Sequence, residues 1–127
     1  MLETTQQQTE RYRQSLRAVP VRNADVRRLP GGPADGLRLE VRLRYGPLLG
    51  FFRRLLRART EKVYELDAVG REVYEDIDGT RNFETLIDRF AARHKLTFLE
   101  ARALLAQYLQ ILTKRGIIVA TMPKGMS

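Results

Sequence analysis

Leu37, Leu39, Val41, Leu43 and Tyr45 alternate with Arg38, Glu40, Arg42 and Arg44. A strict period of two predicts a strand with one apolar face and one basic, solvated face. The run Pro30-Gly31-Gly32-Pro33-Ala34-Asp35-Gly36 before it is a dense turn signal, and residues 21–29 further upstream predict a first strand. Gly46-Pro47 ends the alternation. Within residues 48–57 the apolar side chains gather on one side of a helical wheel, with Arg53, Arg54 and Arg57 opposite. A third strand is expected over residues 62–66, with Tyr64 and Leu66 on one face and Val63 and Glu65 on the other.

Three helical patterns follow. Val69, Val73 and Ile77 recur at i, i+4, i+8 over residues 67–77 and stop at Asp78-Gly79. Phe83, Leu86, Ile87, Phe90 and Ala91 define a second helix ending near His94. The third opens on Thr97-Phe98-Leu99-Glu100, a capping box, and runs to Lys114 or Arg115, where Gly116 suits the left-handed residue that closes it. Residues 117–120 read as a short extended segment. Residues 1–17 offer only Leu2, Tyr12 and Leu16 for burial, which fits a loose arm or a short peripheral helix.

Together these elements predict a single α+β domain of winged helix-turn-helix type, with about three N-terminal strands followed by three helices. The expected boundaries are a polar arm at 1–18, the domain at 19–122 with an amphipathic basic insertion at 46–59, and a tail at 123–127. The core is expected to hold Leu39, Val41, Tyr64, Leu66, Val73, Ile77, Leu86, Ile87, Phe90, Leu104, Tyr108, Leu112 and Ile117.

Composition narrows the chemistry. The 127 residues are 43% apolar, enough for one domain to close a core. There is no cysteine, and the single histidine, His94, and two serines, Ser15 and Ser127, leave almost nothing from which to build a nucleophilic triad. The formal charge of +8 is unevenly spread: residues 1–60 hold 13 Lys/Arg against 5 Asp/Glu, whereas residues 61–127 hold 10 of each. Such a balance favours an acidic partner. Residues 1–20 carry glutamines where an export signal needs its apolar stretch, so a cytoplasmic protein is expected.

The segment from Lys62 to Ile118 resembles the PqqD family, the RiPP recognition elements. The residues that carry the resemblance are Leu66-Asp67 followed by Gly70, then Tyr74-Glu75-Asp76-Ile77-Asp78-Gly79, then Leu86-Ile87 with Phe90, and finally Leu109-Gln110-Ile111-Leu112 with Arg115-Gly116-Ile117. The resemblance implies a fold of three strands and three helices that binds the leader of a ribosomally made precursor peptide. The peptide would add as an extra strand beside the third strand and lie against the third helix, which presents it to a modifying enzyme, often a radical SAM protein. Transferred by position, Lys62, Val63 and Glu65 offer the docking strand, and Arg102, Leu105 and Leu109 the facing helix, with Arg102 pairing an acidic leader residue. Leu105 and Leu109 fit the core equally well. The resemblance implies binding rather than catalysis, with no cofactor.

Other readings attach to particular residues. A basic winged helix invites nucleic acid, but the third helix offers only Arg102, Gln107 and Gln110 for reading bases before its last turn, and the positive charge lies elsewhere. Phe51, Phe52, Arg53, Arg54 and Arg57 form an amphipathic surface that suits a membrane, this domain or a second copy. An open strand edge also permits a homodimer. Asp67, Glu72, Glu75, Asp76 and Asp78 read as a solvated acidic face rather than a metal site, Asp78-Gly79 as a turn, and His94 as a helix-end imidazole with no catalytic task.

Overall fold

A computed structural model describes residues 4–42 and 61–121. Its element order is α1 (Thr5–Arg17), β1 (Val19–Arg22), β2 (Val26–Leu29), β3 (Leu37–Arg42), β4 (Glu61–Leu66), α2 (Ala68–Asp76), α3 (Phe83–His94), α4 (Phe98–Lys114) and β5 (Ile118–Thr121). The architecture is α+β, with four helices among the described residues and two small antiparallel sheets, β1-β5 and β2-β3-β4. The chain divides into two compact units, one of residues 24–71 and one of residues 1–23 and 72–127. Leu43, Tyr45 and the whole 46–59 insertion, with Phe51, Phe52, Arg53, Arg54 and Arg57, lie outside the described residues.

In the unit of residues 24–71, β3 is central. It pairs with β2 in the register Val26↔Val41 to Leu29↔Arg38, and with β4 in the register Leu37↔Leu66 to Arg42↔Glu61. The alternation holds as expected: Leu37, Leu39 and Val41 are buried, while Arg38, Glu40 and Arg42 point to the other face. Gly36 sets up this strand, because a Cβ there would collide with the carbonyl of Leu66. At the end of β4, Asp67 Oδ1 accepts the Gly70 N–H at 2.7 Å and caps α2. The Leu66-Asp67-x-x-Gly70 spacing is therefore a helix start, with Asp67 exposed as the acidic-face expectation has it.

The other unit is helical with a two-stranded edge. The single strand expected over residues 21–29 is in fact two, belonging to different sheets. β1 pairs with β5 in the register Val19↔Thr121 to Arg22↔Ile118, and Asn23 breaks the run by bonding Gly116 and Ile117 carbonyls through its Nδ2 and backbone N–H at 2.9 Å each. The extended segment expected at 117–120 is thereby one half of a β-pair, so the order of strands and helices differs from three strands followed by three helices. Residues 5–17 are helical, closed by a Thr4–Gln7 capping box, and the Ala18 carbonyl accepts the Phe83 N–H at 2.8 Å, tying the end of α1 to the start of α3.

Each of the three later helices has a chemical beginning and end. Asn82 accepts the Thr85 N–H to start α3, which ends on Lys95 in the left-handed region at φ 54°. The Thr97–Glu100 box starts α4. Gly116, at φ 75°, closes it: its N–H reaches the Thr113 carbonyl and the Ile117 N–H reaches that of Leu112, the two bonds of a Schellman motif. The end of α2 is held from outside, as Arg22 donates to the Tyr74 and Glu75 carbonyls at 3.2 and 3.0 Å and lies 4.5 Å over the Tyr74 ring. The core of this unit is Val73, Tyr74, Ile77, Leu86, Ile87, Phe90, Ala101, Leu105, Leu112, Ile117 and Ile118. Leu104, expected there, is 43% exposed, and Tyr108 is half-buried, as is Tyr64 in the first unit.

Candidate functional site

The edge of the three-stranded sheet comes first. β4 pairs with β3 on one side, and among the described residues no strand pairs with its other side. Lys62, Val63 and Glu65 are exposed, Val63 at 53%. An edge of this kind presents unpaired main-chain N–H and C=O groups that can template another extended chain. Glu65 already has a partner in its cross-strand neighbour Arg38, whose guanidinium donates to one carboxylate oxygen at 2.8 Å. Arg27 and Glu40, also register partners, pair at 3.3 Å on the same face. The outer surface of the sheet is thus a ladder of alternating charges rather than a plain basic face.

The surface of α4 is the second element. Its apolar arc is wider than the core uses, as the wheel suggests, but the surplus falls on other residues. Leu105 is 2% exposed and is a core side chain. Leu109 is half-buried. Leu104 and Ile111, at 43% and 45%, are the ones left open, with Leu99 nearer the start. The reason is angular: Ala101, Leu105 and Leu112 are spaced by four and seven and share one stripe, whereas Leu104 and Ile111 sit about 100° to its side. Arg102 turns toward α1, its guanidinium 4.7 Å over the ring of Tyr12.

The acidic residues of α2 meet basic residues of α3. Asp76, with a side chain 13% exposed, accepts from Arg89 at 3.1 Å and from Arg93 at 3.1 and 3.2 Å, and Arg81 approaches to 4.0 Å. Burial opposes its charge, but the bonds from Arg89 and Arg93 outweigh that opposition and hold the carboxyl below its ordinary value. The same bond raises Arg93 further. Glu72 pairs with Arg93 at 3.4 Å and with His94 Nε2 at 2.7 Å. The expectation of a solvated acidic face is corrected here: Asp76 and Glu72 fasten α2 to α3. His94 has this carboxylate partner and a tilted contact with Phe90 at 4.5 Å, an arrangement that fixes the end of a helix. Asp78 shapes the turn as its sequence suggests, accepting from the Thr80 and Arg81 backbone N–H groups at 2.9 Å. No group of three or more metal-ligating side chains occurs among the described residues, and no helix among them is long and apolar enough to cross a membrane.

The elements just described, from β4 through α4 to the start of β5, coincide with a match to one protein family. Residues 54–118, just over half of the chain, match the family model for coenzyme PQQ synthesis protein D (PqqD). The chain belongs to the PqqD family. No curated protein and no solved structure gives a match. PqqD proteins are accessory, non-catalytic proteins that bind a precursor peptide and work with a modifying enzyme, so membership implies a peptide-binding, adaptor role in the making of a ribosomally produced, modified peptide. α1 and strands β1 to β3 lie outside the matched residues.

Proposed function

We propose that this PqqD-family chain binds the leader of a ribosomally made precursor peptide by strand addition to the free side of β4 and presents it to a modifying enzyme of the radical SAM type. The observation that carries the reading is the side of β4 away from β3, which no strand pairs among the described residues, in a sheet where β3 and β4 are fully in register. Main-chain hydrogen bonds supply the attachment, and side chains on alternate positions supply the choice of sequence. Lys62, Val63 and Glu65 are the contacts on the strand. Leu105 of α4 belongs to the core. A net charge of +8 favours leaders rich in Asp and Glu and speeds their capture.

The test is a titration of the isotope-labelled full chain with a panel of synthetic leader peptides, read at the backbone amides of residues 61–66 by NMR and hydrogen exchange. A bound strand shifts these amides and slows their exchange, since an N–H that faced water becomes bonded. Binding that leaves all six amides unmoved overturns strand addition, and the absence of binding across acidic leaders overturns the peptide-binding reading itself.

A further inference from the structure

The side of β4 away from β3, unpaired among the described residues, offers an incoming strand a row of different neighbours. The register fixes their faces, because the side chains of register partners stand on the same side of a sheet. Lys62 is opposite Val41 and Tyr64 opposite Leu39, on the face that buries Leu37, Leu39 and Val41, whereas Val63 is opposite Glu40 and Glu65 opposite Arg38, on the outward face. From Lys62 to Glu65 the edge therefore reads cation, aliphatic, aromatic, anion, with the two charges on different faces.

Both charges have room for a partner on a further strand. Lys62 is exposed and makes no ion pair among the described residues. Glu65 is engaged by Arg38, but both of those bonds, at 2.8 and 3.3 Å, end on Oε1, and its side chain is 50% exposed. Opposite charges across neighbouring strands stabilise their pairing and like charges oppose it. The other edge of the sheet makes no such offer. β2 is four residues long, Pro30 follows it, and Arg28 falls on the buried face with its register partner Leu39. A short strand, a proline and a charge on the inner face are features that keep an edge from being extended. Both existing pairings of the sheet, β2 with β3 and β3 with β4, are antiparallel, and the antiparallel ladder is the more stable per residue.

We propose that the peptide strand received by β4 runs antiparallel to it and carries, from its N-terminal end, a basic residue, two apolar residues and an acidic residue. Lys or Arg then stands opposite Glu65, apolar side chains opposite Tyr64 and Val63, and Asp or Glu opposite Lys62. This pattern rests on strand addition as proposed above and adds to it a sequence and a direction. The net charge of +8 acts at a distance and draws acidic peptides in general. The edge chooses among them by the order of two opposite charges.

The test uses the isotope-labelled full chain and three synthetic peptides with the same Ser/Thr flanks and a different central run: Lys-Val-Val-Glu, Glu-Val-Val-Lys or Gln-Val-Val-Gln. The first two have one composition and one net charge, so long-range attraction is the same for both and only register separates them. Each is titrated to millimolar concentration while the backbone amides of residues 61–66 and 26–29 are followed by NMR. The Lys-Val-Val-Glu peptide should shift amides 61–66, leave 26–29 unmoved and bind about fivefold to fiftyfold more tightly than Glu-Val-Val-Lys at low salt, with the glutamine peptide between them. Added salt should shrink the preference. Lys62→Glu, at an exposed position outside the Arg38 pair, should reduce it, and Lys62→Glu combined with Glu65→Lys should reverse it. Equal binding of the two charged peptides with amides 61–66 shifted leaves strand addition standing and overturns the charge pattern. Tighter binding of Glu-Val-Val-Lys at the same amides overturns the antiparallel direction, and a preference unchanged by Lys62→Glu overturns the pairing with Lys62. Amides 61–66 unmoved by all three peptides overturn strand addition, and the pattern falls with it.

Discussion

The two compact units spend their charged residues differently. On the β2-β3-β4 sheet the ion pairs Arg27–Glu40 and Arg38–Glu65 run between register partners on an outward face, and at least one member of each is well exposed. In the helical unit Asp76 is largely covered and gathers Arg81, Arg89 and Arg93 from beyond its own helix. Water reaches both members of the Arg38–Glu65 pair, whereas around Asp76 it reaches the arginines and largely misses the carboxylate. The same residue types therefore tune a surface in one unit and fasten helices together in the other.

The comparison can be pressed hardest at the core. Leu112→Ala should lower stability by about 2–5 kcal/mol, since a fully buried leucine leaves a cavity. Leu104→Ala, about two helix turns away on the open side, should cost well under about 1 kcal/mol. Urea melts of both variants check the pair, and similar losses would mean that the stripe on α4 is misplaced. Next in size is Asp76→Ala, expected to cost about 1–2 kcal/mol after allowance for the partly exposed arginines. Chemical denaturation in low and high salt measures it, with the loss persisting in high salt because the carboxylate is sheltered.

The sheet pair should matter less. A double-mutant cycle on Arg38 and Glu65 is expected to give a coupling of about 0.2–1 kcal/mol that fades as salt is added. A coupling as large as the effect of Asp76→Ala would remove the distinction between the units. Smallest is a pH effect at the α2–α3 turn. The Arg81 and Thr80 backbone N–H groups, followed by the Thr80 hydroxyl and the Arg81 charge, hold Asp78 down to about 2 from 3.8. A carboxyl lowered by folding stabilises the native state fully above its unfolded value of 3.8, and that contribution is lost as pH falls through about 2. Asp78→Asn should therefore flatten stability against pH across this window, as read by acid titration of the folded fraction.

Local order was largely legible. The alternation of Leu37, Leu39 and Val41 against Arg38, Glu40 and Arg42, the Thr97–Glu100 box and the Gly116 terminus are all chemistry between residues close in the chain. The division of residues 21–29 was not. No glycine or proline marks the break, which depends on Asn23 meeting Gly116 and Ile117, residues more than ninety positions away. The same limit governs the candidate site. A helical wheel shows that α4 has more apolar surface than one contact requires, but it gives no means of choosing Leu105 for the core and Leu104 for the surface.

Sequence alone determined the family, the three later helices, the capping box and glycine terminus of α4, the alternation of β3 and the shortage of catalytic side chains, because each follows from residue type and near-neighbour spacing. Only the tertiary structure decided that β1 answers β5, that Asp76 and Glu72 hold α3, and that Arg102 stacks on Tyr12. Those partners are chosen by long-range packing, where distance along the chain carries no information about distance in space.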